Sequence, residues 1–232
     1  MSIKKFIRKI IYPNKHNSDA YVAYLKSVGC KIGENTYFYD PLTTLIDSSR
    51  PEFIEIGANC QITKGVTILA HDYSYSVLRD VYKEMLPTSG VTKIGNNVFI
   101  GMNSTILMNT TIEDNVIIGA GSVVRGTIKS GTIVAGNPAK PISTIDNMYK
   151  KLKSNVLENA KVHAKHIQKV KGRNPNIKEM GYYSWIFTDT SSENVDFSHL
   201  PFFGHEKESA ISDYLKQNNI YNSFEEFLKD LQ

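Results

Sequence analysis

The sequence predicts a mainly β chain: a parallel β-helix, preceded by short N-terminal helices and followed by a C-terminal α-helical appendage. Three observations carry that reading. Isoleucine opens each of eight hexads: IGENTY at 32, IGANCQ at 56, ITKGVT at 62, IGNNVF at 94, IGMNST at 100, ILMNTT at 106, IEDNVI at 112 and IGAGSV at 118. The fourth position of each is asparagine or glycine: Asn35, Asn59, Gly65, Asn97, Asn103, Asn109, Asn115 and Gly121. Between these columns, triplets such as Val98-Phe99-Ile100 alternate in, out, in, the pattern of a very short strand. Asn and Gly tolerate positive φ best, so the fourth column reads as a corner. The fifth position is Thr, Cys, Val or Ser, small enough for the inside of that corner. A chain that turns every six residues must coil and stack its columns into ladders.

The elements follow in order. Residues 1–30 form an N-terminal helical segment. Within "MSIKKFIRKIIY", a helix puts Phe6, Ile7, Ile10 and Ile11 near one face and Lys4, Lys5, Arg8 and Lys9 elsewhere. Two readings stand: a helix packed on its own protein, or a peripheral membrane-surface helix. The apolar run is broken by Arg8 and Lys9 and no small-residue cleavage site follows, so a signal peptide is not expected. A second helix starts at Ser18 and stops near Gly29. Residues 31–141 form the β-helix. Its rhythm blurs between Tyr37 and Ile54, fails in a loop over 72–92, and fades after Gly126. Residues 142–232 form the appendage. Ser143-x-x-Asp146 starts a helix with Ile145, Tyr149, Leu152 and Val156 on one face. "SSENVDFSHLPFFGHEKES" reads as loop. Two short helices close the chain, one near "ESAISDYLKQ" and one begun by Ser223 with Glu226.

Composition excludes several classes. The chain has 232 residues and a net charge of +4, without the basic clustering that nucleic acid requires. Two cysteines, Cys30 and Cys60, suit a reducing cytoplasm better than a disulfide framework. No stretch reaches transmembrane length. The chain is therefore read as cytoplasmic, either free or at the inner face of the membrane. No P-loop, GxGxxG fingerprint or HExxH occurs.

The break in the rhythm begins at His71. Long loops in compact folds are usually functional or disordered. This one carries Tyr73, Tyr75, Val77, Leu78, Tyr82, Met85 and Leu86, too apolar for simple disorder. It is expected to pack on something, such as a neighbouring subunit. Histidine is also the side chain best suited to act as a base near neutrality.

The hexads resemble those of the hexapeptide-repeat acyltransferases over Lys31 to Pro141. The stretch "HDYSYSVLRDVYKEMLPTSGVTKIGNNVFIG" resembles their sugar O-acetyltransferase branch, which includes maltose, galactoside, capsule and lipopolysaccharide acetyltransferases. Leu78-Arg79 and Glu84-Met85 match, although Lys83 replaces the usual glycine. The resemblance implies a left-handed β-helix with three hexads per coil, a homotrimer, and acetyl-CoA as co-substrate in a groove between adjacent helices. It implies His71 as the catalytic base and the N–H of Met102, on a neighbouring chain, as oxyanion donor. Asp40, Asp47, Tyr73, Arg79 and Glu84 are the implied acceptor-binding residues; an ordinary turn carboxylate accounts equally well for Asp40 and Asp47. Phe99, Gly101, Gly119, Ala120, Arg125 and Lys140 are the implied cofactor-binding positions, with an interface role open for Phe99.

The acceptor expected is a carbohydrate hydroxyl in capsule or lipopolysaccharide synthesis. Amino-sugar N-acetylation, antibiotic O-acetylation and a non-catalytic β-helix scaffold are the alternatives. A zinc carbonic anhydrase shares the fold but needs three converging histidines. The repeats contain only His71, so no metal is expected. His163, His166, His199 and His205 read as surface histidines.

Overall fold

The computed structural model describes residues 3–188, 197, 200 and 207–231. The chain divides into two compact units, Met1–Met148 and Tyr149–Gln232.

The first unit is the left-handed parallel β-helix. Each coil contributes one short strand to each of three sheets. The first sheet stacks β1 (Lys31–Ile32), β4 (Ile54–Ile56), β7 (Thr92–Ile94), β10 (Thr111–Ile112) and β13 (Thr127–Ile128). The second stacks β2 (Tyr37–Phe38), β5 (Gln61–Ile62), β8 (Phe99–Ile100), β11 (Ile117–Ile118) and β14 (Thr132–Ala135). The third holds β3 (Leu45–Ile46), β6 (Thr67–Ile68), β9 (Thr105–Ile106) and β12 (Val123–Val124). All these pairs are parallel and in register, so Ile32, Ile56, Ile94, Ile112 and Ile128 form one buried ladder. β15 (Lys140–Thr144) returns antiparallel on β14.

The corner reading holds at every hexad. All eight fourth-column residues have positive φ, from 55° at Asn97 to 73° at Gly65. The second-column glycines serve a different purpose. A Cβ on Gly57 would lie 2.5 Å from the Gly95 carbonyl oxygen, and one on Gly101 would lie 2.5 Å from the Ala120 nitrogen. Neighbouring coils touch there through backbone, so no side chain fits.

Two helices precede the coils. α1 spans Ile3–Ile11 and α2 spans Ser18–Ser27, with Asn17 as its N-cap and Gly29 at φ +113° beyond its end. α2 plugs the open end of the first coil. Tyr21 and Leu25 are buried, and Tyr21 meets Phe38 edge-on at 5.0 Å. The blurred stretch still yields β3; Asp40 to Thr44 forms a turn before it and a 3₁₀ turn, Pro51–Phe53, follows it.

The expected loop holds an unexpected helix, α3 (Tyr75–Tyr82), ended by Lys83 at φ 62°. In the second unit, α4 (Ile145–Lys171) is followed by α5 (Ile177–Met180), a 3₁₀ stretch (Gly181–Ile186), α6 (Lys207–Leu215) and α7 (Phe224–Lys229). The helix-start reading needs correction. Ser143 belongs to β15, and Thr144 Oγ1 accepts from the Asn147 N–H at 3.2 Å. Tyr149 and Leu152 are exposed; the packed face begins at Val156 and continues through Ala160 and Ala164. That face meets Met180, Ile186, Phe187, Phe227 and Leu231 in this unit's own core. Ser223 caps α7 as expected, accepting from the Glu226 N–H. Most of the loop-like stretch 191–209, with His199 and His205, lies outside the described residues.

Cys30 and Cys60 are free and buried, and burial pushes the Cys30 thiol up to about 11. No helix among the described residues is long and apolar enough to cross a membrane.

Candidate active site

His71 occupies the fourth position of a ninth hexad, Ile68-Leu69-Ala70-His71. Ile68 keeps register with Ile46 and Ile106, so the break falls in the corner column itself. Elsewhere that column turns through positive φ; His71 does not, and the chain runs out of the coil. It returns at Ser89, which forms an antiparallel bridge with His71, and at Gly90, whose N–H donates to the Ala70 carbonyl at 2.9 Å. Thr92 Oγ1 ties the returning strand to the Leu69 carbonyl at 2.6 Å. The insertion is thus pinched at its base, and the histidine stands at the pinch.

Beneath it lies Asp47, one coil earlier and 6% exposed. Its carboxylate accepts from His71 Nδ1, the Ala70 N–H (3.0 Å), the Ser49 N–H (3.2 Å) and the Ser49 hydroxyl (2.7 Å). Burial alone pushes this carboxyl up. The Ser49 hydroxyl, His71 and the two backbone donors outweigh burial and hold it below its ordinary value. An ionised carboxylate is acceptor-only, so Nδ1 carries the proton and, in the neutral ring, Nε2 presents its lone pair. The ring is 18% exposed, and Tyr73 crosses it edge-on at 5.2 Å. An oriented imidazole with a buried anion behind it can serve chemically as a general base.

Asp47 was expected to bind the acceptor. Its oxygens are buried and committed to four donors, among them His71 Nδ1. Asp40 likewise serves a turn: it accepts from Thr43 Oγ1 at 3.0 Å and pairs with Arg8 at 3.8 Å. Ser49, which sequence reasoning missed, has no motif to betray it. Its hydroxyl also lies 3.4 Å from His71 Nδ1. Arg79 and Glu84 lie on or just after α3; Arg79 pairs with its neighbour Asp80, and both stand in an exposed segment.

The remaining residues, Arg125 apart, fall away from the His71 edge. Met102 and Ala120 stack over Lys64 at the corner between the second and third sheets. No acceptor among the described residues takes the N–H of any of the three. At the corner between the first and second sheets, by contrast, the Ala58 and Asn96 N–H groups are taken by Asn96 Oδ1 and Asp114 Oδ1. His71 lies at the other edge of the third sheet, with β6 between it and the Lys64 corner. Within one chain, His71 and Met102 therefore stand at different corners of the coil. Arg125 lies along the His71 edge, two strands further on, and is exposed. Phe99 is 40% exposed on the second sheet, and Lys140 is exposed on β15. Gly101 and Gly119 are explained by packing: Ala120 nitrogen and Ala135 Cβ fill the spaces their side chains would need.

Among the described residues no three His, Cys, Asp or Glu side chains group as a metal-binding set. His163 Nε2 is hydrogen-bonded to the Glu179 carbonyl at 2.8 Å.

The sequence profile described as bacterial transferase hexapeptide (six repeats) matches residues 92–126. Protein CapG of Staphylococcus aureus is 38% identical over 136 residues, covering 59% of this chain and 76% of CapG. YvoF of Bacillus subtilis is 36% identical over 53% of this chain and 65% of its own length. Galactoside O-acetyltransferase of Escherichia coli is 33% identical over 50% of this chain and 54% of its own. The chain thus spans between about half and three quarters of these relatives. With the hexapeptide profile matched over residues 92–126 and three quarters of CapG covered at 38% identity, the chain belongs to the bacterial hexapeptide-repeat transferase family.

Proposed function

We propose that this protein transfers an acetyl group from acetyl-CoA to a hydroxyl of a sugar or glycan, in capsule or lipopolysaccharide synthesis. The observation that carries this is His71, held by buried Asp47 at the one corner where the coil opens. His71 Nε2 takes the hydroxyl proton as the oxygen attacks the thioester carbonyl. The same nitrogen returns the proton to the departing thiolate, so the products are an acetyl ester and a free thiol, with no acyl-enzyme. The unpaired N–H groups of Lys64 and Ala120 suit a pantetheine arm, whose amide carbonyls need donors. The Met102 N–H suits the oxyanion.

The separation of these two edges within one chain supports a homotrimer, in which the His71 edge of one copy faces the Met102 edge of the next. The exposed apolar side chains of the insertion, Val77, Val81, Tyr82 and Met85, support a protein partner there as well.

Relatives named for galactoside O-acetylation support a hydroxyl acceptor. The test is acetyl-CoA turnover against nucleotide sugars, oligosaccharides and lipid-linked glycans. Acceptor-dependent thiol release with a hydroxylamine-labile ester product is the expected result. An alkali-stable amide, or no acceptor-dependent release with any carbohydrate, would contradict it.

The same reading includes an anionic membrane surface as a partner for α1. Amphipathic helices normally bury their apolar face on their own protein. Here Arg8, on the basic side, pairs with Asp40 of the β-helix, and Phe6, Ile7, Ile10 and Ile11 remain 48–64% exposed. Residues 1–18 carry five basic and no acidic side chains, which also disfavours self-pairing of this helix. Co-sedimentation with phosphatidylglycerol vesicles, but not phosphatidylcholine vesicles, is expected. Ile7→Glu with Ile10→Glu is expected to weaken it more than about tenfold. Equal binding by that double variant, or none by the wild type, would count against the membrane role.

A further inference from the structure

The second unit carries a concave site that the transfer chemistry leaves unused. It has a volume of about 460 Å³ and is lined by Tyr182, Trp185, Ala210, Asp213, Tyr214 and Gln217. That volume falls within the range of small-molecule sites, about 300–1,000 Å³.

Local geometry explains the lining. In the 3₁₀ stretch Gly181–Ile186, residues three apart share a face, which brings Tyr182 and Trp185 together. Ser184 and Ile186 of the same stretch are fully buried. From the opposite side, Ala210, Asp213 and Tyr214 recur at the three- and four-residue spacing of one face of α6, and Gln217 follows just beyond its end. Tyr214 forms a fixed floor, its hydroxyl bonded to Ser184 Oγ at 2.7 Å and lying 3.3 Å from Thr188 Oγ1. Tyr182 remains 49% exposed.

The chemistry of this lining is selective. Aromatic faces pack against the C–H face of a pyranose, and they lose little entropy in doing so because few torsions are frozen. A carboxylate accepts from sugar hydroxyls. Asp213 places a negative charge among the lining groups, which opposes phosphates and therefore nucleotides and coenzyme A. Its pairing with Lys216, at 3.3 Å with both side chains more than 70% exposed, is too solvated to reverse that. Ala210 keeps the wall low where a ring must enter.

We propose that this depression is a binding subsite for neutral saccharide units of the acceptor glycan, remote in sequence from His71. Its place in catalysis rests on the glycan transfer proposed above; its ligand class rests on the lining alone.

Trp185 is the only tryptophan in the chain, so its emission reports on this site directly. The experiment is fluorescence titration of the full-length protein with neutral glucose, galactose and N-acetylhexosamine oligosaccharides, and separately with coenzyme A and nucleoside monophosphates. A saturable change with at least one neutral oligosaccharide is expected. Tyr182→Ala is expected to weaken it about tenfold. Asp213→Asn is expected to weaken it as well, and it sits on an exposed helix position that tolerates the change. KM for that oligosaccharide in acetyl transfer is expected to rise in both variants with kcat unchanged. No emission change with any saccharide, an unchanged response in both variants, or a response to coenzyme A or nucleotides alone would overturn the subsite. The readouts separate the two proposals. Saccharide-dependent emission without acetyl transfer would remove the catalytic reading and leave the subsite; acetyl transfer to oligosaccharides without an emission change would do the reverse.

Discussion

Replacing His71 with alanine is expected to lower kcat for acetyl transfer by about 10²–10⁴-fold, with acetyl-CoA binding little changed. A sugar hydroxyl is a poor nucleophile while it holds its proton. In this site the imidazole is the group placed to take it: Nδ1 is committed to Asp47, Nε2 faces away from the carboxylate, and the ring is reachable. The side chain lies at the mouth of the insertion rather than in the isoleucine ladders, so its loss removes chemistry rather than core. Steady-state kinetics and calorimetry with coenzyme A separate the two effects. A kcat within a few-fold of wild type would rule out His71 as the base.

Asp47→Asn is expected to reduce kcat nearly as far, by about 10²–10³-fold, although it retains the shape of the side chain. The amide can donate to Nδ1, which leaves the proton on Nε2 and the base blocked. The negative charge that stabilises the transient imidazolium is also lost. Because the carboxylate accepts from four donors, the amide is further expected to cost about 1–3 kcal/mol of stability. The pH dependence has a definite sign. A carboxyl held below its ordinary value of 3.8 stabilises the fold above that value, and the contribution disappears as pH falls through the lower folded value. Wild type is therefore expected to lose more stability between neutral and strongly acidic pH than Asp47→Asn does. Denaturant midpoints across that range check this; parallel curves would mean the carboxylate is not held by these bonds.

The coils were legible because every repeat satisfies the same local constraints. An asparagine or glycine at positive φ, an isoleucine inside and an outward residue between recur at a fixed period, so one hexad tests the next. His71 was legible for the complementary reason, as the place where the corner column lacks its usual residue. What resisted reading depends on register between unlike segments. Asp47 reaches His71 only because β3 stacks under β6, yet the chain between Tyr37 and Ile54 has no hexad to reveal that stacking. Its neighbour Ser49 was invisible for the same reason. In the insertion, α3 ends on Lys83 in a left-handed conformation, without the glycine that normally signals a helix stop. The start of α4 was misplaced because Ser143 and Thr144 are both competent caps, and the antiparallel pairing of β15 claims the first.

The most direct measurement of the central claim is a crystal structure of the assembled protein with coenzyme A. The thiol is expected at a groove between two copies, within about 6 Å of one copy's His71 Nε2, with room for one hydroxyl oxygen between them. The neighbouring copy's Met102 N–H is expected to line that groove. A monomer, or coenzyme A bound with its sulfur far from every His71, would contradict the shared site.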